Sequence, residues 1–491
     1  MLLFALYNAV PVESLVPYVY VEFDNSRALS RIQGVQPFRA LLIGPRREVG
    51  SRPTLEPLRV QTASEAADYF GAGSVLSGMF AAFFRNNRET EVYGIGVDDG
   101  QQAAKAKGSI AIAGEPSASG VLSILIGGRS YRVVVQAKQT VTSIAEKCQQ
   151  ALDADPMRLV DVAADDAPGG IQLVARNGGE VGNAIDIRIS YYPGESLPPG
   201  LTVAVDSMKG GALNPDMKPV IQAMGDDWYN VIALAFTDDQ SLESMEADLA
   251  DRWGPVRPID GHCFVASGQL PADLSTAFKR RNSPHLTVIA ATDSPTPPWE
   301  WAAAVAGVNA REAQMDPARP YQTLPLVGIM PPKKSMNLSH RDMLLKDGIA
   351  TTTVDQSRVV RIERLVTTYK KNENGALDPS YRDIMTKQTL SFLRWDFRNH
   401  FLTKFARHKL ADDGTRFAAG QPVLTPKTAK AEAIAKFSEW EERALVENAD
   451  QFKRELVVER NRQNPNRLDF LLPPDLINQL MVTAVQIGWI V

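Results

Sequence analysis

Cysteine, excess positive charge and long apolar runs are all scarce in this sequence. Only Cys148 and Cys263 occur among the 491 residues, far apart and in apolar surroundings, so we expect no disulfide framework and a reducing compartment. The formal net charge of -4 argues against a nucleic-acid-binding protein, which would normally carry a basic excess. No stretch approaches the ~20 apolar residues that a membrane-spanning helix requires. We therefore expect a protein that is soluble when it is made.

The signatures of common enzyme classes are missing as well. The five histidines include no HExxH pair, and the sequence contains no Walker loop, GxSxG or CxxC motif. The remaining candidate is a group of carboxylates at the ends of predicted strands, where α/β sheets bind ligands: Asp238 and Asp239 follow one strand and Asp293 follows another. Together they could hold Mg²⁺ in a metal-dependent enzyme. The alternative, which we favour, is that each one caps the helical stretch that follows it.

The pattern of strands and helices divides the chain. Residues 38–44 and 91–97 are predicted to be buried strands, with a helical stretch between them that breaks at Gly71–Gly73. Residues 109–206 are rich in strands, contain a hairpin signal at Gly127–Gly128 and include one helix at 141–154. Strands and helices then alternate from residue 231 to 311, which favours a parallel sheet. A β-rich domain is therefore predicted to interrupt an α/β domain, and two long helical segments follow at 381–410 and 427–452.

The two ends of the chain have an unusual composition. Residues 480–491 (LMVTAVQIGWIV) carry no charge, and apolar side chains lie on both faces of the predicted strand. Such a strand must be covered, because an exposed one is a template for aggregation. Residues 15–23 (LVPYVYVEF) have the same character. We expect both ends to add as strands to neighbouring subunits, through these residues: Val19, Val21, Phe23, Val482, Val485, Ile487, Trp489 and Ile490.

One basic stretch stands out in an otherwise acidic chain. The segment RWDFRNHFLTKFARHK (394–409) alternates aromatic and basic residues on a predicted helix, with Asp396 as its only acid. A basic amphipathic helix suggests a partner with a negative surface. The alternative is a solvated face above a buried aromatic stripe. Five basic residues are the candidates for this contact: Arg394, Arg398, Lys404, Arg407 and Lys409.

Several segments, taken in order, resemble one known family. They are VPYVYVEFDNSRA (16–28), FRALLIGPRR (38–47), DPARPYQTLPLVGI (316–329), KDGIATTTVD (346–355), RVVRIERLVTTY (358–369) and NRLDFLLPPDLINQL (466–480). In sequence and spacing they resemble the tail sheath proteins of contractile-tailed bacteriophages, specifically the Mu-like branch. The likeness covers nearly the whole chain.

The resemblance implies a particular fold. It is an α/β fold whose inner domain has a mixed sheet built from both chain halves, with an inserted β-rich outer domain and extended terminal arms. We therefore expect an N-terminal arm at residues 1–22 and a C-terminal strand arm at residues 479–491. The inner domain would comprise residues 23–100 and 218–478, and the outer domain residues 101–217.

The resemblance also implies a function without catalysis, metal or other cofactor. Hexameric rings of subunits would stack into a helical sheath around the tail tube, linked by strand exchange between terminal arms. Triggered at the baseplate, the sheath would contract and drive the tube through the host envelope.

The expected partners are other copies of the chain, the tail tube, baseplate and tail terminator proteins, without nucleic acid or membrane insertion. The protein would reside in the virion tail after assembly in the host cytoplasm, and the basic residues of 394–409 would face the tube. The sheath of a phage-derived contractile bacteriocin or injection machine is an alternative, and a soluble metal-dependent enzyme using Asp238, Asp239 and Asp293 is an alternative of another class.

Overall fold

The computed structural model describes residue 36, residues 38–164 and residues 167–490. Its first part contains both strands that the sequence predicts, two helices, and one further strand that the sequence did not predict. The elements are β1 (Arg39–Pro45), β2 (Pro57–Val60), α1 (Ala63–Phe70), α2 (Val75–Asn86) and β3 (Glu91–Val97). Thr62 and Ser74 begin the two helices, each accepting a hydrogen bond from a backbone N–H three residues later. Gly71, with φ of +86°, separates them. The predicted strands and the helix break are confirmed.

A β-rich region (residues 107–209) follows. Its elements are β4 (Lys107–Gly114), β5 (Gly120–Ile126), β6 (Arg129–Val135), α3 (Val141–Asp153), β7 (Val160–Ala164), β8 (Gly170–Ala175), a 3-10 helix (Glu180–Ala184), β9 (Ile187–Ile189) and β10 (Leu201–Lys209). They form two sheets, in the orders β10-β4-β8-β7 and β6-β5-β9. Gly127 and Gly128 connect β5 to β6 with φ of +53° and +77°, as the hairpin signal predicts. Cys148 lies in the core under α3, and burial raises the pKa of its thiol to about 12.

The chain then returns to the sheet of the first part. The elements are α4 (Lys218–Met224), β11 (Val231–Leu234), α5 (Asp239–Trp253), β12 (His262–Ser267), α6 (Pro271–Phe278), β13 (Leu286–Ala290), α7 (Pro298–Met315), α8 (Leu338–Lys346), β14 (Ile349–Val354) and β15 (Val360–Arg364). The three predicted strands β11, β12 and β13 are confirmed. Helix α7 is buried along most of its length, with Trp299 and Trp301 in the core, and packs against α2.

Strands from both chain halves make one eight-stranded sheet in the order β15-β14-β13-β12-β11-β1-β3-β2. The six inner strands are parallel, whereas β2 and β15 run antiparallel to their neighbours. The junction between the halves is the pairing of β1 with β11, where Ala40 lies opposite Val231. The predicted mixed sheet is therefore confirmed.

The edge formed by β15 is covered by an irregular segment. Thr323 donates its N–H to Ile362 O at 2.8 Å, and Leu326 donates to Val360 O at 2.9 Å. Residues 323–326 thus supply backbone partners to the outer side of β15, which would otherwise be left unpaired. Pro325 fits here because it need not donate to the ladder.

The last part, residues 384–476, is named the C-terminal body. Its first turn packs in the main core, and its residues from Phe392 onward form most of a second, smaller hydrophobic core. Its elements are α9 (Ile384–Phe405), β16 (Lys409–Leu410), β17 (Val423–Leu424), α10 (Pro426–Glu442), β18 (Val446–Glu447), α11 (Ala449–Glu455), β19 (Val457–Arg460), β20 (Leu468–Leu471) and β21 (Asp475–Leu476).

Both long helices predicted for this part are shorter than expected. The first was predicted to extend to residue 410 but ends at Phe405, because Lys409 pairs its backbone with the 422–424 segment. The second was predicted to continue to residue 452 but ends at Glu442. Ala444 and Asn448 have φ of +53° and +63°, which an α-helix cannot contain. The buried side chains of Leu445 and Val446 lie between them in the second core.

Candidate assembly surfaces

Among the described residues, the C-terminal segment contacts the rest of the chain at its beginning. The N–H of Ile477 donates to Leu445 O at 3.1 Å, and Nε2 of Gln322 donates to Leu480 O at 3.0 Å. Met481 packs against the main core. Beyond this point, residues 482–490 lie outside every helix and strand, so the predicted terminal strand is not formed with any of the described residues. A strand requires a backbone partner, and the nearby edge of β15 is already covered by residues 323–326.

The apolar side chains of this segment face solvent. Their exposed fractions are 79% for Val482, 76% for Val485, 78% for Ile487, 81% for Trp489 and 101% for Ile490. Single exposed apolar residues are common in proteins, but a contiguous row of large ones marks a site of interaction. The segment is therefore a candidate interaction surface of the described chain. The predicted N-terminal contacts Val19, Val21 and Phe23 lie outside the described residues.

Two small antiparallel sheets of the C-terminal body have incomplete edges. β18 pairs with β21, and β19 pairs with β20, so each of these strands has one strand neighbour in the described part of the chain. Phe470 of β20 packs on α9, its ring 5.0 Å from that of Phe401, whereas Val457 and Leu471 are exposed on the other face. The sequence reasoning missed the hairpin of β19 and β20. The turn residues Asn464-Pro465-Asn466 between two alternating runs were the signal that could have found it.

The basic stretch does not form one uniform surface. Arg394 is held inside its own chain: it pairs with Asp260, donates to Trp253 O at 2.7 Å, and lies 4.5 Å above the Trp253 ring. The prediction that Arg394 faces a partner is therefore not supported by its contacts. The single acid of the stretch, Asp396, is buried between the helices, where Nζ of Lys436 lies 2.9 Å away and Nε1 of Trp440 donates at 2.6 Å.

The other four basic residues lie on the surface of the C-terminal body. Arg398 and Arg407 are exposed on and just after α9, and neither has an ion pair among the described residues. Lys404 pairs with Glu432. Burial raises the pKa of Glu432, but the hydrogen bonds from Lys404 and from His400 outweigh this effect and hold the pKa below its ordinary value. Lys409 is exposed on β16 rather than on the helix, a correction to the predicted arrangement.

The three aspartates of the alternative metal site have separate roles. Asp238 begins α5, accepting the N–H of Ser241 at 2.9 Å, so its predicted cap is confirmed. Asp239, in the first turn, pairs with Arg280 and Arg281. Asp293 caps no helix, because α7 begins five residues later. It adopts a φ of +56° and pairs with Arg188 at 3.0 Å.

These aspartates do not make a metal centre. Among the described residues, no group of three or more His, Cys, Asp or Glu side chains is arranged to hold a metal ion. No described helix has the length and apolar character needed to cross a bilayer. The metal-dependent reading therefore has no support in this geometry.

Comparison with known proteins identifies the family of the chain and agrees with its fold. The family models for the phage tail sheath protein central domain and the phage tail sheath C-terminal domain match residues 210–368 and 377–488. A curated relative, the Mu-like prophage FluMu tail sheath protein of Haemophilus influenzae, is 38% identical over 486 residues, which is 99% of each chain. This chain belongs to the phage tail sheath family, a family of structural proteins, which implies a non-enzymatic role in the virion tail.

Its place within the family is the Mu-like branch, as the resemblance predicts. The fold is shared more widely. The sheath tail protein of Desulfitobacterium hafniense matches with a TM-score of 0.50 at 10% identity, covering 94% of this chain and 97% of that one. A sheath tail protein of Listeria innocua matches with a TM-score of 0.50 at 12% identity, covering 92% and 95%.

Proposed function

We propose that the chain is the subunit of a contractile sheath that surrounds the tail tube and drives it through the host envelope. Copies are linked by exchange of terminal strands between neighbours in stacked hexameric rings. The observation that carries this proposal is the exposed apolar row at residues 482–490, which has no strand partner among the described residues. A neighbouring copy can supply the missing backbone pairing.

The incomplete sheets of the C-terminal body are the proposed acceptors. A strand added beside β19–β20 or β18–β21 gains backbone hydrogen bonds of about 0.5–1.5 kcal/mol each. Each large apolar side chain that becomes buried adds roughly 1.5–3 kcal/mol. A few such residues keep two subunits joined while their bodies rotate. The N-terminal arm, with Val19, Val21 and Phe23, is proposed to serve as the second exchanged strand.

The tube-facing surface is proposed to lie at the end of α9. Arg398, Lys404, Arg407 and Lys409 are exposed there, whereas Arg394 is excluded because Asp260 and Trp253 hold it. Positive charge on this surface fits an acidic outer face of the tube protein. The energy of contraction would come from new contacts between the subunit bodies.

No catalytic step, cofactor or nucleotide enters the proposed cycle. The further partners are baseplate and tail terminator proteins, and assembly takes place in the host cytoplasm without membrane insertion or nucleic acid. A phage-derived bacteriocin or injection machine would use the same subunit. Capsid genes beside this one would favour the phage.

Electron microscopy of the purified chain tests the proposal. We expect rings or striated tubes from the full chain. We expect none after deletion of residues 480–491, while the circular dichroism spectrum and melting transition stay close to those of the full chain. Tubes of normal length from the deletion variant would contradict strand exchange through this arm. Monomers or dimers alone from the full chain, at every concentration tried, would contradict the sheath assignment itself.

A further inference from the structure

A cleft of about 500 Å³ lies between the β-rich region and the main body, which is the eight-stranded sheet with the helices that pack on it. The floor of the cleft is the carboxyl end of this sheet, where Thr237 follows β11 and Ser267 ends β12. Ile185 and Arg188 belong to its opposite wall. In the described part of the chain, no helix or strand of the β-rich region packs along one of the main body. Loops and individual side chains on the two sides of the cleft therefore hold the two bodies together.

One side of the cleft is held by a buried amide next to the end of β1. Asn177, which is 5% exposed, accepts the N–H of Val75 at 3.1 Å and donates to Arg46 O at 2.7 Å. The N–H of Gly178 donates to Oδ2 of Asp99 at 2.7 Å. A buried polar group that loses its partners is costly, so we expect this side to stay closed.

Both connections of the chain between the two bodies lie on the same side as Asn177. They are residues 98–106, which include Asp99, and residues 210–217. Ala104 and Ala212 bridge the two connections with backbone hydrogen bonds of 3.0 and 3.3 Å. Gly210 has a φ of +81° and no atom within 4 Å of an added Cβ. Two chain crossings joined by a short bridge, beside an uncrowded glycine, have the form of a hinge.

The other side of the cleft is held by Arg188, from β9. Its Nη2 donates to the carbonyl oxygen of Asp293 at 3.0 Å and lies 3.0 Å from Oδ1 of the same residue, three positions after β13. Its Nε donates to Oδ2 of Asp186 at 2.6 Å. The guanidinium lies 5.3 Å from the ring centre of Tyr191, whose hydroxyl donates to Pro331 O. The β-rich region thus contacts the sheet near β1 and near β13, and it spans the cleft over β11 and β12.

The two sides differ in how easily they open. The Asn177 amide is buried, whereas the carboxylates that hold Arg188 are reached by water: the side chain of Asp186 is 31% exposed and that of Asp293 is 42% exposed. Water and salt compete for an exposed ion pair, which makes its net contribution small. The side at Arg188 is therefore expected to open first.

We propose that Arg188 is a latch, and that the β-rich region swings about the bridge of Ala104 and Ala212 when this latch opens. The region moves as one body, because both of its sheets pack on α3. Opening exposes the floor of the cleft, including Ser267, while the contacts of Asn177 remain. The angle between the β-rich region and the sheet then changes within one folded chain, independently of the proposed exchange of terminal arms.

The rate at which a thiol on the cleft floor reacts tests the latch. Ser267→Cys places a side chain of nearly the same size where the serine is 8% exposed, and the full chain with this change is treated with dithiobis-nitrobenzoate. If closing is faster than the reaction, the rate measures the fraction of open molecules. Adding Arg188→Gln should raise the rate by about 5- to 30-fold, between the effects of an exposed ion pair and of a buried charged hydrogen bond. Cys148 and Cys263, buried in the core, are internal controls and should not react faster.

Arg132→Gln is the matched control for the latch. Arg132 belongs to the same region but pairs with Glu195 inside it, at 3.2 Å, so its loss should leave the rate unchanged. Asp293→Asn is a second latch variant, since asparagine tolerates the left-handed backbone at this position, where φ is +56°. It should also raise the rate, which keeps the test decisive if Arg188→Gln does not fold. Latch variants that react no faster than Arg132→Gln would overturn the proposal.

Hydrogen exchange separates a swing from unfolding of the β-rich region. Peptides from β4 and β8 should exchange at the wild-type rate in Arg188→Gln, because their strand pairing lies within the moving body. If their exchange accelerates by the same factor as the thiol reaction, the region unfolds rather than swings, and the latch is refuted.

Discussion

Replacement of Ile487 by serine is expected to weaken assembly without weakening the fold. The side chain is 78% exposed in the single chain, so its own fold loses little when it is removed. In a strand that is covered by a neighbouring copy, the same side chain would become buried, which contributes roughly 1.5–3 kcal/mol. Each subunit that joins a tube brings one such arm. The lowest concentration at which tubes form should therefore rise by about 10- to 150-fold.

The assay is sedimentation of tubes over a dilution series, with electron microscopy of the pellets. Val256→Ser is the matched control, because Val256 is 96% exposed but lies in the loop after α5, away from the arm. It should assemble at the wild-type concentration. Denaturant unfolding of either variant should stay within about 0.5 kcal/mol of the wild type. If Ile487→Ser forms tubes at the same concentration as Val256→Ser, burial of the arm does not hold the subunits together.

Three further predictions concern packing, buried charge and the basic surface. Gly94→Ala should destabilise the fold by about 1–3 kcal/mol, measured by denaturant unfolding, because the new Cβ would lie 2.7 Å from the ring of Phe80. Burial lowers the pKa of Lys387 to about 7, so the unfolded state binds more protons above that pH and stability should rise from about pH 7 towards 10.5. In Lys387→Met the contribution of this lysine to the rise, at most about 1.4 kcal/mol per pH unit, should be lost, while that of Lys370, whose pKa burial lowers to about 8, should remain. Arg407→Glu should weaken binding to purified tail tubes, most strongly at low salt.

Each of these predictions has a result that would contradict it. Gly488 has no atom within 4 Å of an added Cβ, so Gly488→Ala is the control and should have the free energy of unfolding of the wild type. If Gly94→Ala loses no more stability than Gly488→Ala, the packing argument is wrong. An unchanged rise of stability with pH in Lys387→Met would assign that rise to other groups. Tube binding by Arg407→Glu with the affinity and salt dependence of the wild type would place the tube elsewhere on the subunit.

The central strands could be predicted because burial on both faces leaves a simple pattern. Strands such as β11 and β12 are continuous apolar runs, and parallel strands covered on two sides need no other feature. The helix break before α2 was equally visible, since glycine and a serine cap stand side by side there. In these places, local preference and tertiary structure agree.

Helix ends in the C-terminal body were mispredicted because local preference and tertiary structure disagree there. Residues such as Arg407 and Arg443 favour helices, so nothing in the local sequence stops either helix. The chain turns instead because Leu445 and Val446 are buried in the second core and because Lys409 finds a backbone partner at Pro422. Asp396 is a similar case: its pairing with Lys436, 40 positions away, could not be read from the basic stretch that surrounds it.

The sequence by itself determined the class of the protein, most of its buried strands and the apolar character of its C-terminal segment, since these depend on composition and on short-range order. Only the tertiary structure decided that β1 lies beside β11, that residues 323–326 close the edge at β15, and that Arg394 is turned inward. Contacts of this kind join residues far apart in the chain, and their energies depend on distances that no local pattern encodes.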